Sequence, residues 1–129
     1  MKSACGCSPG VDPPLVVPLA SVGLESIALV GGKNVSLGEL IRHLTPAGVQ
    51  VPGGFATTTA AYGLFLRAHG LEPPLQEWLG GLDATDFVAL RQAGAQARAL
   101  ILGAPLPKPL VLAIRQAHQQ LLNEAGGDP

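Results

Sequence analysis

The sequence predicts an α/β (α+β) fold that is rich in helix and has few short strands. Two short runs with strand character, residues 15–19 and 49–51, flank a segment whose leucines recur at helical spacing, and further helical patterns follow in series. The 129 residues are 47% hydrophobic and 13% charged, which is typical of a packed domain. Because two short strands rarely form a stable sheet alone, we expect an incomplete part of a β-containing domain.

Residues 1–14 are predicted to be a flexible lead-in, because small, polar and proline-rich sequence buries too little apolar surface to offset the entropy of ordering. They contain both cysteines of the chain, Cys5 and Cys7. A structural zinc site takes four ligands and no further candidates are nearby, so we interpret the pair as thiols in a mobile tail. Residues 15–19 follow as a β-branched run with Pro18 near its end, which predicts a strand at a sheet edge.

The first long helix is predicted to open directly after the glycine pair Gly31-Gly32. It should end near Thr45, because Pro46 disfavours helical geometry in the residue before it. Residues 49–51 alternate as a half-buried strand would, and the Pro-Gly-Gly at 52–54 would end that strand. The side chains expected on the buried face of the helix are Leu37, Leu40, Ile41 and Leu44.

The remaining sequence predicts helices in series. Thr57, Thr58 and Thr59 offer an N-cap for a helix that ends at Gly70. Helices are then expected over residues 75–82, from a cap at Asp83 or Thr85 to about residue 101, and from 109 to 122, with 124–129 as a tail. The side chains expected to pack inward are Ala61, Leu64, Phe65, Trp78, Leu82, Phe87, Leu90, Leu110, Ile114, Ala117 and Leu121.

Charge and hydropathy exclude two classes of partner. The net charge is −1 and there is no run of Lys or Arg, so the chain lacks the attraction that binding to nucleic acid or to an anionic membrane requires. No apolar run approaches the roughly 20 residues of a membrane span. The first ten residues lack the apolar stretch of a secretory leader. We therefore expect a soluble, cytoplasmic protein.

The segment from Gly31 to Asn34 is the candidate binding site. Residues without Cβ let a ligand approach the backbone, and the amides and dipole at a helix start favour an anion. Lys33 adds a positive charge on a flexible stem, which suits phosphate oxygens. The alternative is a tight turn with a solvated lysine. The spacing does not match a Walker A motif, and no G-x-G-x-x-G fingerprint occurs.

Two longer motifs carry a resemblance to a known family. The segment VGGKNVSLGEL at 30–40, followed by GVQVPGGFATT at 48–58, resembles the N-terminus of the phosphoenolpyruvate synthase family. The resemblance covers about residues 15–122. It implies that residues 15–123 are the N-terminal part of an ATP-grasp-like nucleotide-binding domain. It also implies that Lys33 contacts the ATP phosphates, with Gly31, Gly32 and Asn34 as supporting positions.

The resemblance further implies a reaction for the complete enzyme: ATP, pyruvate and water give phosphoenolpyruvate, AMP and phosphate, with Mg²⁺ and a phosphohistidine intermediate. The phosphohistidine and pyruvate-binding domains of the family would lie beyond Pro129, so we expect a chain that ends at a truncation point and is inactive alone. Its partners would be nucleotide and the missing C-terminal domains, or a second chain that supplies them. No catalytic residue and no metal ligand is assigned within the 129 residues.

Two alternatives remain open. One is a phosphotransferase of the same architecture with another acceptor, as in pyruvate phosphate dikinase or rifampin phosphotransferase. Those relatives usually read Gly-Ala-Asn where this chain has Asn34-Val35-Ser36, which favours the synthase. The other is a non-catalytic helical interaction module or remnant. The titratable side chains outside the glycine segment are interpreted as helix caps or surface groups and not as phosphohistidine or magnesium ligands: His43, His69, His118, Glu39, Asp83 and Asp86.

Overall fold

The structure, a computed structural model, describes residues 12–126 and is built mainly of helices around one small sheet. Cys5 and Cys7, most of the predicted lead-in and the last three residues of the predicted tail lie outside the described residues. The strands and helices, in chain order, are β1 Val16–Pro18, α1 Ile27–Val30, α2 Gly32–Leu44, β2 Phe55–Thr57, α3 Thr59–Ala68, α4 Glu72–Leu79, α5 Phe87–Gly103 and α6 Lys108–Glu124. Two single 3-10 turns, Leu19–Ser21 and Leu24–Ser26, connect β1 to α1.

The sheet consists of β1 and β2 paired antiparallel. Val16 lies opposite Thr57, and Pro18 lies opposite Phe55. The helix α6 packs against both strands, so it supplies the cover that two short strands require. The predicted helix-rich α/β class is therefore confirmed.

The predicted second strand was in the wrong place. Residues 49–51 form no strand, and β2 follows the Pro-Gly-Gly turn at 52–54 instead of preceding it. Val49 is 48% exposed, so its alternation with Val51 does not reflect a buried face. The position of the strand is decided by its pairing with β1. A local alternation of side chains carries no information about that pairing.

The buried core has two clusters. The first cluster joins α2 and β2 to the segment that precedes α1. The second cluster joins α3, α4 and α5. The members of the first are Leu19, Val22, Val30, Val35 and Ala56, and those of the second are Phe65, Leu66, Leu71, Leu75 and Ala97. Phe65 and Leu110 are buried as predicted, whereas Trp78, Ile114 and Leu121 are half-buried and Phe87 is 77% exposed.

Only part of the predicted face of α2 turns to the core: Ile41 packs on the first cluster, and Leu44 is half-buried. Leu37 and Leu40 are 43% and 45% exposed, while Val35 and Gly38 are buried. A Cβ on Gly38 would collide with the carbonyl oxygen of Val22 and would lie 3.0 Å from that of Leu19. The glycine thus lets α2 approach the turn before α1 at backbone distance, and this contact fixes the rotation of the helix.

Two helix starts also differ from the predictions. The helix α4 begins at Glu72 and not at 75, because prolines are tolerated in a first helical turn, where Pro73 and Pro74 lie. The cap of α5 is Asp86, whose carboxylate accepts a hydrogen bond from the amide of Ala89 at 3.0 Å. Asp83 instead accepts hydrogen bonds from Thr85 within the preceding turn.

Across residues 12–126 no single helix is long and apolar enough to cross a membrane. The pair α5 and α6 would reach the required length and composition only together, and a bend of 75° separates them.

Candidate functional site

The candidate site lies where α1 ends and α2 begins, at Gly31. This residue has φ 78° and ψ 164°, a backbone conformation that is open almost only to glycine. Its amide closes α1 by donating to the carbonyl of Ile27 at 2.9 Å, and its carbonyl opens α2 by accepting from Val35 at 3.1 Å. One glycine therefore ends one helix and caps the next.

The first turn of α2 presents donors to solvent. The amides of Gly32, Lys33 and Asn34 precede the first intrahelical bond, which is donated by Val35. An ideal Cβ built on Gly31 or on Gly32 would meet no heavy atom within 4 Å, so this end of the helix is open. Free amides and the positive end of the helix dipole together favour an anionic group at this place.

Lys33 is the second residue of α2 and is exposed. Within the part of the chain that the structure describes, the salt bridges involve Arg42 and His43 and none involves Lys33. Its ammonium group is therefore not held by a carboxylate and can reach toward a ligand at the helix start. The structure brings Gly31, Gly32 and Lys33 together as one surface.

The side chain of Asn34 has a different environment. Its amide nitrogen Nδ2 donates a hydrogen bond to the carbonyl of Val30, the last residue of α1, at 2.8 Å. Asn34 is half-buried. Of the four predicted site residues, Asn34 is thus the one whose side chain is hydrogen-bonded within the protein. Only its backbone amide belongs to the open end of α2.

A polar network holds α2 against the turn before α1. Glu39 accepts a hydrogen bond from the amide of Leu24 at 3.0 Å, and its carboxylate also contacts Arg42 at 3.4 Å and His43 at 3.0 Å. Arg42 reaches Glu25 at 3.4 Å as well. The pKa of Glu25 is lowered by a hydrogen bond from the backbone amide of Glu25 itself and, after that, by the contact with Arg42. Glu39 and Arg42 therefore have structural partners.

The resemblance implies magnesium, and the described residues do not form a site for it. Over residues 12–126 no group of three or more His, Cys, Asp or Glu side chains converges in a way that could hold a metal. Glu39, Asp83 and Asp86 are each engaged in local hydrogen bonds. Magnesium bound beside substrate phosphates needs carboxylates that converge there, so no step of the chemistry is assigned to a metal on these residues.

The threonine cluster has a structural role, which confirms the predicted cap. Thr58 is 4% exposed, and its hydroxyl oxygen accepts from the amide of Ala61 at 3.3 Å while donating to the carbonyl of Pro14 at 2.6 Å. Thr59 donates to the carbonyl of Ala28 at 3.1 Å, which ties the start of α3 to α1. Thr57 and Thr58 also border an apolar groove of about 430 Å³ between α3, α5 and α6.

Two residues that support the site were not singled out from the sequence. Gly38 seats α2 on the turn before α1, and Thr59 anchors α1 from α3. A glycine inside a helical pattern is a signal for close backbone packing and could have indicated Gly38. Nothing local to Thr59 distinguishes it from its two neighbouring threonines.

Most of this chain is similar in sequence to known proteins. Residues 27–129 match the family model described as pyruvate phosphate dikinase, AMP/ATP-binding domain. The chain is 44% identical over 112 residues to a phosphoenolpyruvate synthase from Synechocystis sp., covering 87% of this chain. It is 47% and 44% identical over 108 residues to phosphoenolpyruvate synthases from Pseudomonas aeruginosa and Escherichia coli, covering 84% of this chain in each case. The chain spans 14% of the length of each of these curated relatives.

Proposed function

The chain belongs to the family of the pyruvate phosphate dikinase AMP/ATP-binding domain, and from that premise we propose that it holds the phosphates of ATP at the start of α2. Lys33 supplies the positive charge. The amides of Gly32, Lys33 and Asn34 supply hydrogen-bond donors, and Gly31 and Gly32 keep side chains out of the approach. The observation that carries the proposal is the exposed Lys33 on the first turn of a helix whose cap is a positive-φ glycine.

The chemistry of such a site is positioning and charge neutralisation. Phosphoryl transfer depends mainly on the orientation of the phosphates and on the stabilisation of their negative charge. A lysine on the first turn follows phosphate oxygens as they move, because its charge sits at the end of a flexible stem.

The identity to phosphoenolpyruvate synthases supports pyruvate as the phosphate acceptor of the complete protein. We propose that this chain is the ATP-binding N-terminal part of such a phosphotransferase, with Mg²⁺ and the remaining domains supplied outside residues 12–126. A phosphotransferase of the same family that acts on another acceptor is the second candidate, because the matched family model carries the name of the dikinase.

The test is titration of the chain with ATP and with adenosine, followed by NMR or calorimetry, for the wild type and for Lys33→Ala. A charge-assisted hydrogen bond to phosphate contributes about 1.5–3 kcal/mol, so we expect Lys33→Ala to weaken ATP binding about 10- to 100-fold and to leave adenosine binding unchanged.

Lys108→Ala is the matched control. Lys108 is also exposed and also lies on the first turn of a helix, but Pro107 precedes it in place of a glycine pair. Its replacement should leave ATP affinity unchanged. Equal losses in both variants, or no loss in either, would show that Lys33 has no specific phosphate role.

A further inference from the structure

The junction between α1 and α2 is held by a side chain that the proposed phosphate site does not use. The Nδ2 of Asn34, on the first turn of α2, lies 2.8 Å from the carbonyl oxygen of Val30, the last residue of α1. Gly31 stands between the two helices with φ 78°. The bond of Asn34 therefore spans the residue at which the chain changes direction.

This junction needs such a restraint. A helix of four residues is too short to be stable by itself, and the carbonyls at its end lack intrahelical partners. Glycine has more backbone freedom than any other residue, so Gly31 alone does not fix the angle between the helices. Asn34 satisfies the carbonyl of Val30 and at the same time fixes the first turn of α2 relative to α1.

We propose that Asn34 is a positioning residue for the phosphate site and not a phosphate ligand through its side chain. The inference rests on the proposed function of Lys33. By locking the junction, Asn34 sets the direction in which Lys33 and the amides of Gly32 and Lys33 point. A binding site built from backbone donors gains affinity when those donors are held in place before the ligand arrives.

Ser36 provides a built-in comparison. Its hydroxyl donates to the carbonyl of Gly32 at 3.0 Å, which is the same spacing of four residues as the bond from Asn34 to Val30. The bond of Ser36 lies wholly within α2, whereas that of Asn34 crosses the junction. Removing the bond of Asn34 or that of Ser36 therefore removes one side-chain hydrogen bond in each case, but only the loss of the Asn34 bond affects the junction.

The experiment uses five versions of the chain: wild type, Asn34→Ala, Asn34→Ser, Ser36→Ala and Lys33→Ala. Amide hydrogen exchange of Gly31 and Val35 is measured without ligand, because their amides donate the two backbone bonds that define the junction. Affinities for ATP and for adenosine are then measured by NMR titration. The free energy of unfolding of each variant confirms that the fold is retained.

We expect Asn34→Ala to raise exchange at Gly31 and Val35 and to weaken ATP binding about fivefold, with adenosine binding unchanged. Ser36→Ala should alter neither quantity. Asn34→Ser should give the same losses as Asn34→Ala, because the serine oxygen is bonded directly to Cβ and stops one bond short of the position from which Nδ2 reaches the carbonyl of Val30 across the bend. If Asn34→Ala unfolds the chain, Asn34→Ser against Ser36→Ala still decides the question.

Three results would overturn the proposal. Weaker ATP binding with unchanged exchange would show that Asn34 contacts the phosphate directly. Faster exchange with unchanged ATP binding would show a purely structural bond. A loss of ATP affinity in Lys33→Ala but not in Asn34→Ala would leave the proposed function standing and remove the positioning role, whereas no ATP binding to the wild type would remove the proposed function itself.

Discussion

The carbonyl oxygen of Val22 faces Gly38 so closely that a Cβ on Gly38 would overlap it. This contact seats α2 on the turn that precedes α1. We predict that Gly38→Ala lowers the free energy of unfolding by about 1–3 kcal/mol, because the added methyl must push α2 away from the backbone of residues 19–22. Denaturation in urea measures the change.

Gly94→Ala is the control for that substitution. Gly94 also lies inside a helix, but a Cβ there would meet only the guanidinium group of Arg98, at 3.3 Å, which is the flexible end of a side chain. Alanine has the higher helix propensity, so Gly94→Ala should stabilise the chain by up to about 1 kcal/mol. Equal effects of the two substitutions would show that α2 does not depend on a close backbone contact.

Gly31 and Gly32 are predicted to differ in their effect on the free energy of unfolding. Gly31→Ala should lower the free energy of unfolding by about 1–3 kcal/mol through backbone strain alone, since a Cβ there meets no atom within 4 Å. Gly32 has no positive φ and lies in α2, so Gly32→Ala should be neutral or slightly stabilising. Thermal unfolding checks both values.

The same pair separates folding from binding. Although Gly32→Ala leaves the fold intact, its methyl would stand where a phosphate approaches the backbone, so ATP affinity should fall while adenosine affinity does not. Unchanged ATP affinity in Gly32→Ala would place the phosphate away from this backbone and leave Lys33 as the sole contact.

Thr58 is predicted to be the most sensitive threonine of the cluster. Thr58→Val keeps the shape of the side chain but leaves the carbonyl of Pro14 without its partner and removes one of the two acceptors of the Ala61 amide, which also donates to the backbone carbonyl of Thr58 at 3.1 Å. The cost should be about 1–3 kcal/mol of unfolding free energy. The exposed neighbour provides the control: Thr57→Val should change stability by less than about 0.5 kcal/mol.

Asp83 gives the stability of the chain a small dependence on pH. Hydrogen bonds from the backbone amide and then the hydroxyl of Thr85 lower the pKa of this carboxyl group. A lowered pKa favours the folded state while the carboxylate is charged, and that contribution is lost as the pH falls through the folded-state pKa. Asp83→Asn retains an acceptor oxygen but no charge, so its unfolding temperature should vary less with pH in the acidic range below about pH 4. An unaltered pH profile would contradict this role.

Several helix boundaries followed from the sequence because a local signal sets them. Gly31 before α2 and the threonine cluster before α3 act through backbone conformation or capping within one turn, and the structure has both as predicted. The candidate site could be recognised in the sequence for the same reason, because a glycine pair followed by a lysine and a helix is a contiguous pattern.

Three features that the sequence did not predict depend on how separate elements of the chain meet. β2 is where it is because Phe55 lies opposite Pro18, and the alternation at Val49 and Val51 carries no information about that pairing. The buried face of α2 is set by Gly38 against Val22, which outweighs the leucine pattern. Likewise, the commitment of Asn34 to Val30 becomes visible only when the bend at Gly31 brings two short segments together.

The hydrogen bonds at the bend around Gly31 also bear on the order in which the chain can assemble. They join residues four apart, between Ile27 and Val35, so they can form as soon as that short segment has been synthesised. The sheet has to wait for Thr57 to reach Val16, and its cover waits for α6, which follows α3, α4 and α5 in the chain. Local contacts form quickly and distant ones slowly. The bend at Gly31 can therefore take shape early, while the sheet gains its cover only after α6 has been synthesised.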